Sequence, residues 1–222
     1  RCFPHIVNLA CKAVVSAFST LDCKRDLSLS TTELAEAAQI LTSDRADPIT
    51  ILRTLVRVVR ASSLRRQHFS QFARSLGLDL QLLRDVETRW SSTLYMIERA
   101  LKLEEALNAF LTSKDFEDLR KYRLCEAEWA ALAIAREILL VPDAFLQKLS
   151  SEKTPTLCNA LPCFDAMIRV WTDQQDNWGP KVSTIIQAGI DKLEVYRGRL
   201  AAVPAYAIAM GVFRVIFVFN LT

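Results

Sequence analysis

Two histidines and five glycines are all that the 222 residues contain of those types, and the shortage excludes a good deal. There is no glycine-rich phosphate loop and no Ser-His-Asp arrangement, and the carboxylates show no spacing that singles out acid–base or nucleophilic chemistry. No catalytic residue is therefore assigned. A long uninterrupted apolar run is also missing. The stretch "VPAYAIAMGVFRVIFVFNLT", residues 203–222, carries Arg214 near its middle and is broken by Pro204 and Gly211, whereas a bilayer-spanning helix needs about 20 largely apolar residues. No membrane association is expected. The match of Asn220-Leu221-Thr222 to a glycosylation acceptor lacks a secretory context and is read as chance.

The six cysteines (Cys2, Cys11, Cys23, Cys125, Cys158, Cys163) form no tight framework, and no signal peptide precedes them. They read as reduced thiols of an intracellular protein. The sequence has no internal repeat and no low-complexity segment. Its first residue is Arg, inside what reads as a helix, so a fragment or a trimmed chain is expected. Half of the residues are apolar, enough for a sizeable core. The net charge of +3 is too small to announce a nucleic-acid binder, so that reading depends on where the charges lie.

What is present is helical periodicity. Ile6, Leu9, Ala10, Val14, Ala17 and Phe18 predict a first helix, and a polar connection follows, with a short helix starting near Thr31 or Thr32. After Pro48, Ile51, Leu52, Leu55, Val56 and Val59 make one helix face while Arg53, Arg57 and Arg60 share another. A short helix, "SLRRQHFSQFARSLG", is stopped by Gly77. A long helix is expected from about Ser91 to Leu111, then one in "EAEWAALAIAREILLVPDAFLQKLS" kinked or broken at Pro142. Another begins at Pro155 with Pro162 inside it, and "KVSTIIQAGIDKLEVYRGRLAAV" is the last. The β-branched and aromatic tail "VFRVIFVF" reads as a possible strand. The expectation is a mainly α array of seven to nine helices.

Three features bear on chemistry. From Asp47 to Asp79 there is no acid between Arg53, Arg57, Arg60, Arg65, Arg66, His68 and Arg74, a block suited to tracking phosphates. The alternative is a solvated helix face paired with acids elsewhere. Cys2 and His5 are spaced like two zinc ligands, but a structural site needs four and the only other histidine is His68, so packing or hydrogen bonding is the reading and no metal site is assigned. In "DVETRWSSTLYMIERALKL", Thr88, Ser91 or Ser92 suits a helix cap, and the helix N-terminus beside Arg89 suits an anion. Trp90 offers a flat face for an unstacked base. Equally, it stands four residues before Leu94 and seven before Ile97, on the stripe that faces the core.

Taken together, "RCFPHIVNLACKAV", the T-R-W-x-S-T block, "LSSEKTPTLCNALPCFDAMI" and "IDKLEVYRGRLAAVPAYAIAM" resemble, in order, segments of the hAT superfamily of DNA transposases, particularly the fungal type. The similarity covers Arg1 to about Met210. It implies a ribonuclease-H-like core interrupted by an α-helical insertion domain, with residues 1–21 at the edge of that core, 22–202 the insertion and 203–222 a divergent return. It also implies metal-dependent strand transfer by an Asp-Asp-Glu triad with Mg2+ or Mn2+. By the resemblance both aspartates lie before Arg1 and the glutamate beyond Thr222, so the segment is expected to bind DNA without cutting it and to need no cofactor itself. Arg89 and Trp90 then become a DNA-handling pair, with Arg57, Arg60, Arg65 and Arg66 as further DNA contacts and Cys2 and His5 as a motif that buttresses the core. Transposon ends and flanking DNA, a homo-oligomer formed through a C-terminal region and a nuclear location follow as expectations. A domesticated helical interaction or regulatory module is the alternative.

Overall fold

The computed structural model describes residues 3–19, 47–86, 88–149 and 157–201, with 203, 208 and 209 beyond them. Every regular element among these residues is helical. In chain order they are α1 (Phe3–Phe18), α2 (Pro48–Ala61), α3 (Ser63–Ser75), α4 (Trp90–Lys102), α5 (Glu104–Thr112), a 3₁₀ helix η1 (Lys114–Tyr122), α6 (Glu126–Leu149), α7 (Leu157–Asn177) and α8 (Pro180–Ala201). The mainly α expectation holds. The short helix near Thr31 and the strand in the tail lie outside the described residues.

The starts and stops follow local chemistry. The Asp47 carboxylate accepts from the Thr50 N–H at 3.0 Å, and Pro48 takes the first helical position, where its missing N–H costs nothing. Ser62 caps α3 in the same way, accepting from Arg65 N–H at 3.3 Å. Gly77 ends α3 at φ 75°. Its N–H reaches the Arg74 carbonyl and the Leu78 N–H the Ala73 carbonyl, the paired bonds of a Schellman stop, which needs the left-handed conformation glycine adopts freely. At α6, the Glu128 carboxylate reaches back to the Cys125 N–H at 2.7 Å, half of a capping box.

Two expected helices differ. The helix predicted from Ser91 to Leu111 is interrupted at Leu103 (φ −109°, ψ 13°), with Glu104 and Glu105 in the first turn of α5. Leu103 is fully buried, so the break keeps the apolar stripe on the core, and the acid pair favours a new helix N-terminus. Conversely, of the kink or break expected at Pro142, the break is not found, since α6 continues from Glu126 to Leu149.

By compactness the chain divides into two units, Phe18–Glu137, and Arg1–Ala17 with Ile138–Thr222. In the first, α2 buries Ile51, Leu52, Leu55, Val56 and Val59, the face read from the sequence, and packs on α3, α4 and η1. Phe110 stands at the centre of an aromatic cluster, 4.7 Å from Phe116, 5.8 Å from Phe69 and 6.1 Å from Phe72 between ring centroids. In the second unit α7 packs on α8, joined by a turn at Trp178–Gly179 that makes them antiparallel neighbours. Trp171 is fully buried and donates its indole N–H to the Ile138 carbonyl at 3.0 Å.

Candidate nucleic-acid interface

The T-R-W-x-S-T block folds around a carboxylate. Asp85 has a completely covered side chain, and its Oδ2 accepts from Arg53 Nε on α2 at 2.6 Å. Its Oδ1 accepts from the Ser92 hydroxyl at 2.7 Å and the Thr93 hydroxyl at 3.0 Å, both in the first turn of α4. Ser92 Oγ in turn accepts from the Val86 N–H at 2.8 Å. The sequence marked Thr88, Ser91 or Ser92 as the cap. Instead Arg89 is the N-cap residue and makes no side-chain cap bond, while Ser92 works from three residues inside, folding the incoming loop over the helix end.

The loop 81–86 is fastened at further points. Arg60 Nη1 donates to the Leu82 carbonyl at 2.5 Å, and Arg99 Nη1, on α4, to the Gln81 carbonyl at 2.7 Å. Of the six arginines of the basic block, every one but Arg57 thus has an intramolecular partner among the described residues. Arg53 and Arg60 hold the loop, Arg66 Nη1 donates to the Arg60 carbonyl, Arg65 pairs with Asp118 at 2.8 Å and Arg74 with Asp79 at 3.2 Å. His68 sets its ring edge-on to Phe116 at 5.3 Å. Magnitude separates these bonds. The Arg65–Asp118 pair is 28% and 60% exposed, and such pairs contribute about 0–1 kcal/mol, little enough for a phosphate to displace the aspartate. The Asp85 cluster is covered and is not exchangeable in that way.

Arg57, Arg84 and Arg89 are exposed, and their guanidinium groups have no hydrogen-bond or ion-pair partner among the described residues. Trp90, next to Arg89, is 5% exposed and lies with Leu94 and Ile97 on the buried face of α4. On α1, His5 is exposed; Cys2 lies outside the described residues. No group of three or more His, Cys, Asp or Glu among the described residues can hold a metal ion, so the Mg2+ or Mn2+ of the resemblance finds no fitting ligand set here. No described helix is long and apolar enough to cross a membrane.

The family model of the ZBED1 RNase-like helical domain matches residues 1–138. The chain belongs to this family. It is a hAT-like, transposase-derived helical domain, and the whole loop-and-arginine surface falls within the matched range. Among curated proteins, the "Putative transcriptional regulator tpeD" of Talaromyces stipitatus is 26% identical over 156 residues, which is 70% of this chain and 18% of that protein. The chain therefore spans well under two thirds of that relative. No solved structure gives a significant match.

Within this RNase-like helical domain, sequence reasoning found Arg57 and Arg89 but missed Arg84, whose flanks Leu83 and Asp85 interrupt any basic run. Pairing with acids elsewhere was the alternative for the block, but Asp85 was not singled out as the partner of Arg53. The one available signal was the pair of hydroxyls at Ser92 and Thr93, which need an acceptor once they start a helix.

Proposed function

We propose that the chain is a DNA-handling domain of a hAT-like transposase-derived protein, working in the nucleus, with Arg57, Arg84 and Arg89 contacting backbone phosphates. The observation that carries this reading is three exposed, permanently charged guanidinium groups around a loop that is pinned on both sides. Planar forks carried on a fastened backbone suit phosphate oxygens. Arg65 joins once phosphate displaces Asp118. Arg60 acts by shaping the loop, and Arg66 by fastening the last turn of α2 through the Arg60 carbonyl. Arg89 and Trp90 divide their labour: the buried indole anchors the first turn of α4, and the neighbouring arginine is held outward. The stacking of a base on Trp90, implied by the resemblance to the fungal-type transposases, requires the ring to leave the core.

The same resemblance supports placing the Cys2–His5 segment against a ribonuclease-H-like core, with residues 1–21 at its edge, 22–202 the insertion and 203–222 the return. Strand cleavage, Mg2+ or Mn2+ and a homo-oligomer are what the resemblance implies for the family, and none of the residues of this chain is assigned to them. The name of the T. stipitatus relative favours a second reading, in which DNA contact serves transcriptional regulation rather than transposition.

The test is a salt titration of binding to duplex DNA. Each lost phosphate contact lowers the slope of log affinity against log salt by roughly 0.9. Replacing Arg57, Arg84 and Arg89 by alanine is expected to flatten it by about 2–3. An unchanged slope with a folded variant removes these arginines from any DNA interface.

A further inference from the structure

We propose that the strip formed by Leu83, Val86 and Tyr95, rimmed by Arg57, Arg84 and Arg89, docks an acidic protein segment that also carries apolar side chains. The inference goes beyond DNA handling but uses the same arginines.

Topology brings these residues together. Along α2, loop 81–86 is tied by Asp85 to Arg53 and by the Leu82 carbonyl to Arg60. Arg57 lies four residues after Arg53 and three before Arg60, on the same helix face and so beside Leu83 and Arg84. Along α4 the loop is tied by Asp85 to Ser92 and by the Gln81 carbonyl to Arg99. Tyr95 lies three residues after Ser92 and four before Arg99, and so flanks the same stretch from the other helix.

The strip is apolar where duplex DNA has no use for it. Val86 is 50% exposed, Tyr95 40% and Leu83 36%. Against a phosphate backbone Leu83 and Val86 contribute nothing and Tyr95 only its hydroxyl, whereas a peptide that places a leucine or phenylalanine between acids covers all three and neutralises the rim at once. Aromatic and arginine side chains are the types that anchor protein interfaces, and the four fastenings of the loop remove the ordering penalty that a mobile loop would impose. Charge complementarity selects the occupant: three exposed guanidinium groups with no partner among the described residues call for carboxylates. Duplex DNA and the acidic segment then compete for one surface.

The experiment uses the full chain and three labelled probes: a peptide interleaving glutamates with leucine and phenylalanine, poly-glutamate of equal charge, and a DNA duplex. The interleaved peptide is expected to bind roughly tenfold tighter than poly-glutamate and to be displaced by the duplex. The double substitution Leu83→Ser with Val86→Ser is expected to erase that tenfold preference while leaving duplex binding unchanged and lowering the melting temperature only by a few degrees, since both side chains are partly exposed. Tyr95→Ala is expected to lower peptide binding in the same selective way. Equal binding of the two peptides, or a double variant that keeps the preference, overturns the proposal while leaving the DNA reading intact. Loss of duplex binding in parallel with peptide binding also overturns it. Absence of duplex binding alongside normal peptide binding sinks the DNA reading alone.

Discussion

A buried carboxylate with three donors is a risk unless every donor is in place, and Asp85 has Arg53, Ser92 and Thr93. Its replacement by alanine leaves Arg53 and two hydroxyls facing a cavity. Arg53 is still 30% exposed, so water recovers part of the loss, and a cost of about 2–3 kcal/mol is expected, below that of a fully buried pair. Denaturant unfolding measures it, and a loss under half a kilocalorie would show that the cluster is ornamental. Trp90 poses a sharper choice. Its 5% exposure predicts that Trp90→Ala lowers stability by about 3–5 kcal/mol, as truncating a buried tryptophan does, while Arg89→Ala leaves stability nearly unchanged and weakens DNA binding. A Trp90→Ala variant that melts like the parent yet loses binding would return the indole to the role of base platform. Cys11 is a third case. Burial first, and then the nearby Asp143 charge, push its thiol well above the ordinary range. The folded state therefore holds that proton more tightly than the unfolded state, so this group's contribution to stability is complete below the ordinary thiol range and falls as pH rises above it. Alkylation of Cys11 by iodoacetamide at neutral pH is expected only on unfolding.

Among the elements, α8 approaches closest where it has no side chain. A Cβ at Gly189 would lie 2.7 Å from both Trp171 and Val14. Alanine there gains up to about 1 kcal/mol in helix propensity but forces a tryptophan with no room to retreat, at about 1–3 kcal/mol. A net loss is expected, read as a lowered melting temperature, whereas Gly198→Ala, with nothing within 4 Å, is expected to stabilise. The contrast separates what the sequence discloses from what it hides. The faces of α2 and α4 and the stop at Gly77 were legible, because periodicity and a left-handed turn are local properties. The break at Leu103 had a signal in Glu104 and Glu105, outweighed by the continuous apolar stripe on either side. The crowding at Gly189 had none, since it depends on residues 18 and 175 positions away in the chain. The site was legible to the same degree: Arg57 and Arg89 stand in recognisable patterns, but the partners of Arg53, Arg60 and Arg65 lie 32, 22 and 53 residues off, beyond any spacing rule.

For the whole molecule, the balance of charge bears on the proposed contact with DNA. The formal charge is only +3, so long-range attraction is weak, and beyond about 8–10 Å it is screened at physiological salt. On the proposed reading, binding then comes from where guanidinium groups are placed rather than from how many there are. Two variants with equal charge separate these possibilities. Alanine at Arg57, Arg84 and Arg89 removes three positive charges and takes +3 to 0. Alanine at Lys12, Lys148 and Lys192 does the same arithmetic with exposed residues of the other compact unit. If placement governs, the arginine variant loses most of its affinity and salt dependence, and the lysine variant keeps an affinity within about threefold of the parent, the residue of a small screened field. Equal losses in the two variants, measured at one fixed salt concentration on the same duplex, would mean that the domain is held to DNA by net charge alone, and that the pinned loop between α2 and α4 has no part in it.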